Sequence, residues 1–248
     1  MRFSLVILLA TLLYGSPNLM AKNMAMEISY AEFMNAENQA YLELYFALHS
    51  HSVDYKALPD GGFRGGVEIT VSLYRDSTLK AADRFRLLSP ELEDTLNLGQ
   101  VFIHQLRFPV NSGTYLVRFD LVDVNDPSET YQVSQTITTH LGGNELMTSE
   151  LLLLDSYKKA EEKNAFTRSG YNLIPQITSG TPYFNDSVNQ ISFYSEIYNT
   201  QQSLGDGEPY LVKYYLKDAD RNQVLQAYGS FSRKKASQVE PVLRCIFH

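Results

Sequence analysis

From Tyr41 onward the chain places apolar side chains at every second position in one segment after another. That period suits strands, whose successive side chains point to opposite faces, and not helices, which repeat about every 3.6 residues. Leu42, Leu44, Phe46 and Leu48 alternate with Tyr41, Glu43, Tyr45 and Ala47, which predicts a strand with one buried face. Val67, Ile69, Val71 and Leu73 alternate likewise with Glu68, Thr70, Ser72 and Tyr74. Val101 to Phe108 is a further strand, halted by Pro109, which lacks the amide hydrogen for another ladder bond. Tyr115, Val117, Phe119 and Leu121 form the next row, and Tyr131, Val133, Gln135, Ile137 and Thr139 complete the set. With a weaker candidate at Phe85 to Leu88 this makes six strands separated by turn residues. The pattern reads as an all-β, antiparallel β-sandwich of immunoglobulin-like type over residues 26–140.

A boundary falls at His140-Leu141-Gly142-Gly143, and residues 141–248 read as a second, related β-sandwich. Ser149 to Asp155 is its opening strand, and the charged stretch Tyr157 to Phe166 is a short helix or a loop. Tyr171 to Ile174 stops at Pro175; Ile191 to Ile197 alternates cleanly; Tyr210 to Leu216, Val224 to Phe231 and Val239 to Phe247 follow. Two short similarities tie the halves together. Tyr41-Leu42-Glu43-Leu44-Tyr45 and Tyr194-Ser195-Glu196-Ile197-Tyr198 both read Y-x-E-x-Y, and Val71 to Asp76 is similar to Lys213 to Asp218. The first half continues through two strands that the second half lacks, so the expectation is a second domain cut short at its C-terminus.

The N-terminus reads as an address. Arg2 precedes the apolar stretch Phe3 to Tyr14, which Gly15-Ser16-Pro17 breaks before Ala21 and Ala25. Residues 1–25 are therefore expected to be a secretory signal, cleaved after Ala21 or Ala25, with an apolar run too short to span a membrane comfortably. No other stretch is apolar enough for a transmembrane span, so the exported product is expected in the periplasm or cell envelope. Cleavage after Ala25 removes two bases, Arg2 and Lys22, and no acid. The chain is already acidic at −7, which argues against nucleic acid as a partner. Cys245 is the single cysteine, so no internal disulfide forms and packed cores must hold the exported chain together.

Catalytic motifs are missing. H-E-x-x-H, G-x-S-x-G, G-x-x-x-x-G-K-[ST] and C-x-x-C do not occur, and nothing calls for a cofactor. His49, His51 and Asp54 are a weak metal trio. Asp123, Asn125 and Asp126 offer three side-chain oxygens that suit either Ca²⁺ or a turn ended by Pro127. The two Y-x-E-x-Y strands leave two readings open for Tyr41, Glu43, Tyr45, Tyr194, Glu196 and Tyr198. They are the solvated faces of strands, or a shared ligand-binding or inter-domain interaction surface. Seventeen tyrosines with no tryptophan suit protein contacts better than sugar stacking, though a glycan ligand is compatible with them.

The export signal, Tyr41-Leu42-Glu43-Leu44-Tyr45-Phe46, VEITVSLYRD (Val67 to Asp76), LRFPVNSGTYLVRFDLVDVND (Leu106 to Asp126) and SGYNLIPQ (Ser169 to Gln176) are present in that order. In these features the chain resembles the N-terminal part of the GWxTD-domain proteins of Bacteroidota. The GWxTD motif itself is absent. The resemblance implies an exported protein with tandem β-sandwiches ahead of a domain this chain lacks, and it carries over no functional residue. The leading expectation is an exported cell-envelope interaction or structural module without catalytic activity, whose partner is another envelope protein or domain. The alternatives are a glycan- or calcium-binding accessory domain and an envelope hydrolase with an unrecognised site.

Overall fold

The computed structural model describes residues 24–96, 98–178, 188, 190–218 and 220–247. Residues 1–23, most of the expected export signal, lie outside the described residues. The first eight strands are β1 (Met26–Met34), β2 (Ala40–His49), β3 (Tyr55–Ala57), β4 (Phe63–Arg75), β5 (Thr78–Leu88), β6 (Val101–Pro109), β7 (Gly113–Asp123) and β8 (Thr130–Thr139). They make two antiparallel sheets, one ordered β1-β2-β6 and one ordered β3-β4-β7-β8 with β5 also paired to β4. The later strands are β9 (Met147–Thr148), β10 (Leu152–Lys159), β11 (Thr167–Arg168), β12 (Tyr171–Pro175), β13 (Gln190–Tyr198), β14 (Pro209–Asp218), β15 (Gln223–Lys235) and β16 (Val239–Phe247). A five-residue helix, α1 (Thr200–Leu204), follows β13. A third sheet is ordered β11-β12-β10-β13-β16 with β9 beside β13, and β14 and β15 form a hairpin of their own. The architecture is all-β, with curled, half-barrel-like sheets.

Two apolar cores account for the stacking. Leu42, Leu44, Phe46 and Leu48 of β2 pack against Val67, Ile69 and Val71 of β4 and Val117 and Phe119 of β7. Phe46 meets Phe85 and Phe119 edge-on, with ring centroids 5.3 and 6.0 Å away. The opposite face of the same sheet is also buried. Ala31 and Phe33 of β1 and Tyr45 of β2 pack with Leu152, Leu154, Leu173 and Tyr194 of the third sheet. The expectation of a single buried face for β2 is corrected accordingly: sheet β1-β2-β6 is an inner layer. On the far side of the third sheet, Phe193 meets Tyr214 of the hairpin edge-on at 5.9 Å.

Several elements differ from the periodicity-based expectation. β1 has no counterpart among the expected strands, because its alternation breaks midway, where the apolar row passes from Met26, Ile28 and Tyr30 to Ala31 and Phe33. β5 begins seven residues before the expected Phe85, after the turn Asp76-Ser77, whose φ values of 49° and 61° make a primed hairpin turn. Most of β5 is exposed, so it lacks an apolar row. The expected strand Ser149 to Asp155 starts three residues later, at Leu152, as β10, after the two-residue β9 has ended at Thr148. β10 then runs to Lys159, into the stretch expected to be helix or loop. At Gly66 a Cβ would lie 2.4 Å from the carbonyl oxygen of Leu87, so only glycine lets β4 pass so close to β5.

Candidate functional site

The outward rows of β2 and β13 face each other inside the molecule. Glu43 is 1% exposed and Glu196 4% exposed, and Tyr45, Tyr194 and Tyr198 are fully buried. Strand geometry alone turns Tyr41, Glu43 and Tyr45 away from the first core and Tyr194 and Glu196 toward them. Between the two rows sits Arg168, at the end of β11, with its side chain 11% exposed. Its Nη2 donates to Glu43 Oε2 at 2.6 Å, and its Nη1 donates to Glu196 Oε1 at 3.2 Å and to the Tyr41 hydroxyl at 2.8 Å. The guanidinium carbon lies 3.9 Å from the centroid of the Phe33 ring, a close cation–π contact.

Each glutamate is saturated. Glu43 Oε2 also accepts from the Tyr45 hydroxyl at 2.8 Å, while its Oε1 accepts from Arg107 Nε at 2.5 Å and from Gln105 Nε2. Glu196 accepts from the hydroxyls of Tyr194 at 2.5 Å and Tyr198 at 2.6 Å. The Tyr198 hydroxyl in turn accepts from the Met34 amide at 2.9 Å, tying β13 back to β1. Two carboxylates meet two guanidiniums, so the buried cluster is neutral as a whole. Burial first, and Glu196 next, push the Tyr194 and Tyr198 hydroxyls far above the ordinary tyrosine range, so these donors keep their protons. Burial works against the charge on Arg168, but Glu43, Tyr41 and Glu196 together outweigh it and hold the guanidinium protonated. The void beside the cluster is about 10 Å³, enough for about one water molecule. This constellation is a closed clamp between layers with no room for a substrate.

Arg168 itself escaped the sequence reading. A lone arginine in Thr167-Arg168-Ser169-Gly170 carries no period and matches no motif, and only its proximity to SGYNLIPQ marked the region. Asp123, Asn125 and Asp126 build a turn. The Asp123 carboxylate accepts from the amides of Asp54 at 2.7 Å, Asn125 at 2.8 Å and Asp126 at 3.2 Å. Asn125 Nδ2 donates to the carbonyls of Asp54 and Arg64, so both side chains lock β3 and β4 to the end of β7. His49 ends β2 and His51 lies within the 3₁₀ turn Ser50–Ser52, so the two do not share a strand face. Among the described residues no group of three His, Cys, Asp or Glu side chains is placed to hold a metal ion. No helix there is long and apolar enough to cross a membrane.

Besides a cavity of about 840 Å³ lined by Gln39, Arg75, Lys80, Asn111, Tyr115 and Leu141, two smaller open cavities are found among the described residues. One, about 670 Å³, runs between the edges β1 and β8, floored by Phe119 and Leu121 and walled by Met26, Ile28 and Tyr131. The other, about 300 Å³, lies beside the clamp and is lined by Tyr157, Ser169, Tyr171, Tyr194 and Arg244. Ser169 and Tyr194 share a hydroxyl–hydroxyl hydrogen bond of 2.8 Å at its base. No family model matches the chain, and no curated protein or solved structure does so either.

Proposed function

We propose that this chain is an exported, non-catalytic interaction or structural module of the cell envelope, built from tandem immunoglobulin-like sandwiches. The observation that carries the reading is the closed clamp. A buried cluster of ionisable groups is spent on fastening layers together, with internal partners for every oxygen of Glu43 and Glu196. The repeat is supported by matching positions. β2 lies between β1 and β6, as β13 lies between β10 and β16, and each unit has a hairpin, β4–β5 or β14–β15. The resemblance to the GWxTD-domain proteins belongs to the same reading.

Export has a specific test. Met24 packs on the first core, and the Ala25 carbonyl accepts from the His49 amide at 3.0 Å. Cleavage after Ala21 preserves both contacts, whereas cleavage after Ala25 loses them. Mass spectrometry of protein recovered from the envelope fraction should therefore find Lys22 as the first residue. Recovery in the cytosol with the N-terminus intact would contradict the proposal. A glycan-binding role is favoured by one observation, the tyrosine-lined cavity of about 300 Å³. Silence on a glycan array would dispose of that second reading and leave the first standing.

A further inference from the structure

The outermost layer of the molecule carries a face unlike the rest of this acidic chain. In β14, Leu211, Lys213 and Tyr215 point outward, and in β15, Phe231, Arg233 and Lys235 do the same. Leu211 lies directly across from Arg233, and Lys213 from Phe231, so the residues share one face. Leu211 is 61% exposed and Phe231 66% exposed, among the most exposed apolar side chains of the described residues. Lys213 sits over the Tyr215 ring at 5.6 Å, and among the described residues none of the three cations has a carboxylate partner. Among the described residues no acidic side chain interrupts this face, although the whole chain is at −7.

The corresponding hairpin of the first unit shows what an ordinary solvated face looks like here. On β4 and β5 the outward Glu68 sits between Arg84 and Arg86 and pairs with both, and the neighbouring outward position on β4 is Thr70. Two hairpins in like positions thus differ in kind, one neutralised and polar, the other cationic and studded with apolar side chains.

We propose that the outward face of β14–β15 is a membrane-contact surface that seats on a bilayer containing anionic phospholipid. The cations supply attraction to lipid phosphates, and Leu211, Tyr215 and Phe231 project far enough to enter the headgroup boundary. Pairing of this face with its own copy on a second chain fits badly, because it would oppose like charges. None of the cavities described above opens on this face, so it has no recess to receive the side chains of a protein partner, whereas a fluid lipid surface needs none. The inference goes beyond the envelope module proposed above, and its test does not depend on where the chain resides.

The chain contains no tryptophan, so Phe231→Trp places a single fluorescent reporter on the face. Full-length protein would be titrated with phosphatidylcholine vesicles, with and without about a third phosphatidylglycerol. The expected result is a blue shift and co-sedimentation with the anionic vesicles, both reversed by salt. Neutralising Lys213, Arg233 and Lys235 should weaken binding about five-fold per cation. The circular dichroism of these variants should be unchanged, since the substituted side chains are outside both cores. The N-terminal apolar stretch is common to all variants, so the difference between them reports the hairpin alone. No shift on anionic vesicles, equal binding to neutral ones, or neutralised protein that binds as tightly as the parent would overturn the proposal. Preference for an acidic polypeptide while the vesicles are ignored would overturn it too.

Discussion

Arg168 is the residue on which two buried carboxylates depend. Arg168→Met keeps most of the side-chain volume but leaves Glu43 and Glu196 without their shared cation. Removing one partner from a buried ion cluster costs about 3–5 kcal/mol, because the charges left behind have lost their solvation as well as their partner. Urea denaturation should show a loss of that order. By contrast, Arg107 reaches the same Glu43 from a position whose side chain is 47% exposed, and Arg107→Ala should cost about 1 kcal/mol or less. A second carboxyl gives a pH signature. Burial raises the Glu150 carboxyl above its ordinary value of 4.5; the Glu32 amide at 3.0 Å lowers it, the Glu32 carboxylate raises it and His140 lowers it. The folded state therefore holds that proton more tightly than the unfolded chain does, and stability falls as pH rises through the raised value. Glu150→Gln should flatten the fall in urea midpoint as pH rises above the ordinary carboxyl value of 4.5. An unchanged slope would place its origin elsewhere.

At the scale of elements, β4 and β5 depend on the close approach at Gly66. Gly66→Ala should cost on the order of 2–3 kcal/mol, because the new methyl group would meet the backbone of β5 and not a flexible side chain. Thermal melts of the variant would check this. Strand legibility followed burial. β2, β4, β7 and β13 each carry an apolar row, and their alternation was plain in the sequence. β1 was illegible because its apolar row changes face midway, from Met26, Ile28 and Tyr30 on one core to Ala31 and Phe33 on the other, and β5 because most of it faces water. The Y-x-E-x-Y strands were legible as a matched pair but not as a buried one. A glutamate between tyrosines looks the same in sequence whether it faces solvent or a guanidinium 125 residues away. The oxygens of Asp123 and Asn125 were equally legible, and the amides that occupy them were not.

For the whole molecule, the inner sheet β1-β2-β6 decides how the parts unfold. One face closes the core with β4 and β7, and the other closes the core with β10, β12 and β13. Neither half can lose its packing without uncovering a face of that shared layer, and the clamp adds charged groups that water must reclaim as the layers separate. The molecule should therefore melt as one unit, although it holds two apolar cores. Differential scanning calorimetry of the full chain and of Arg168→Met tests this most directly. The account predicts a single transition for the parent, with calorimetric and van't Hoff enthalpies equal, and two resolved transitions once the arginine is gone. Two transitions in the parent, or an Arg168→Met profile that overlays it, would contradict the claim that the clamp makes the halves one.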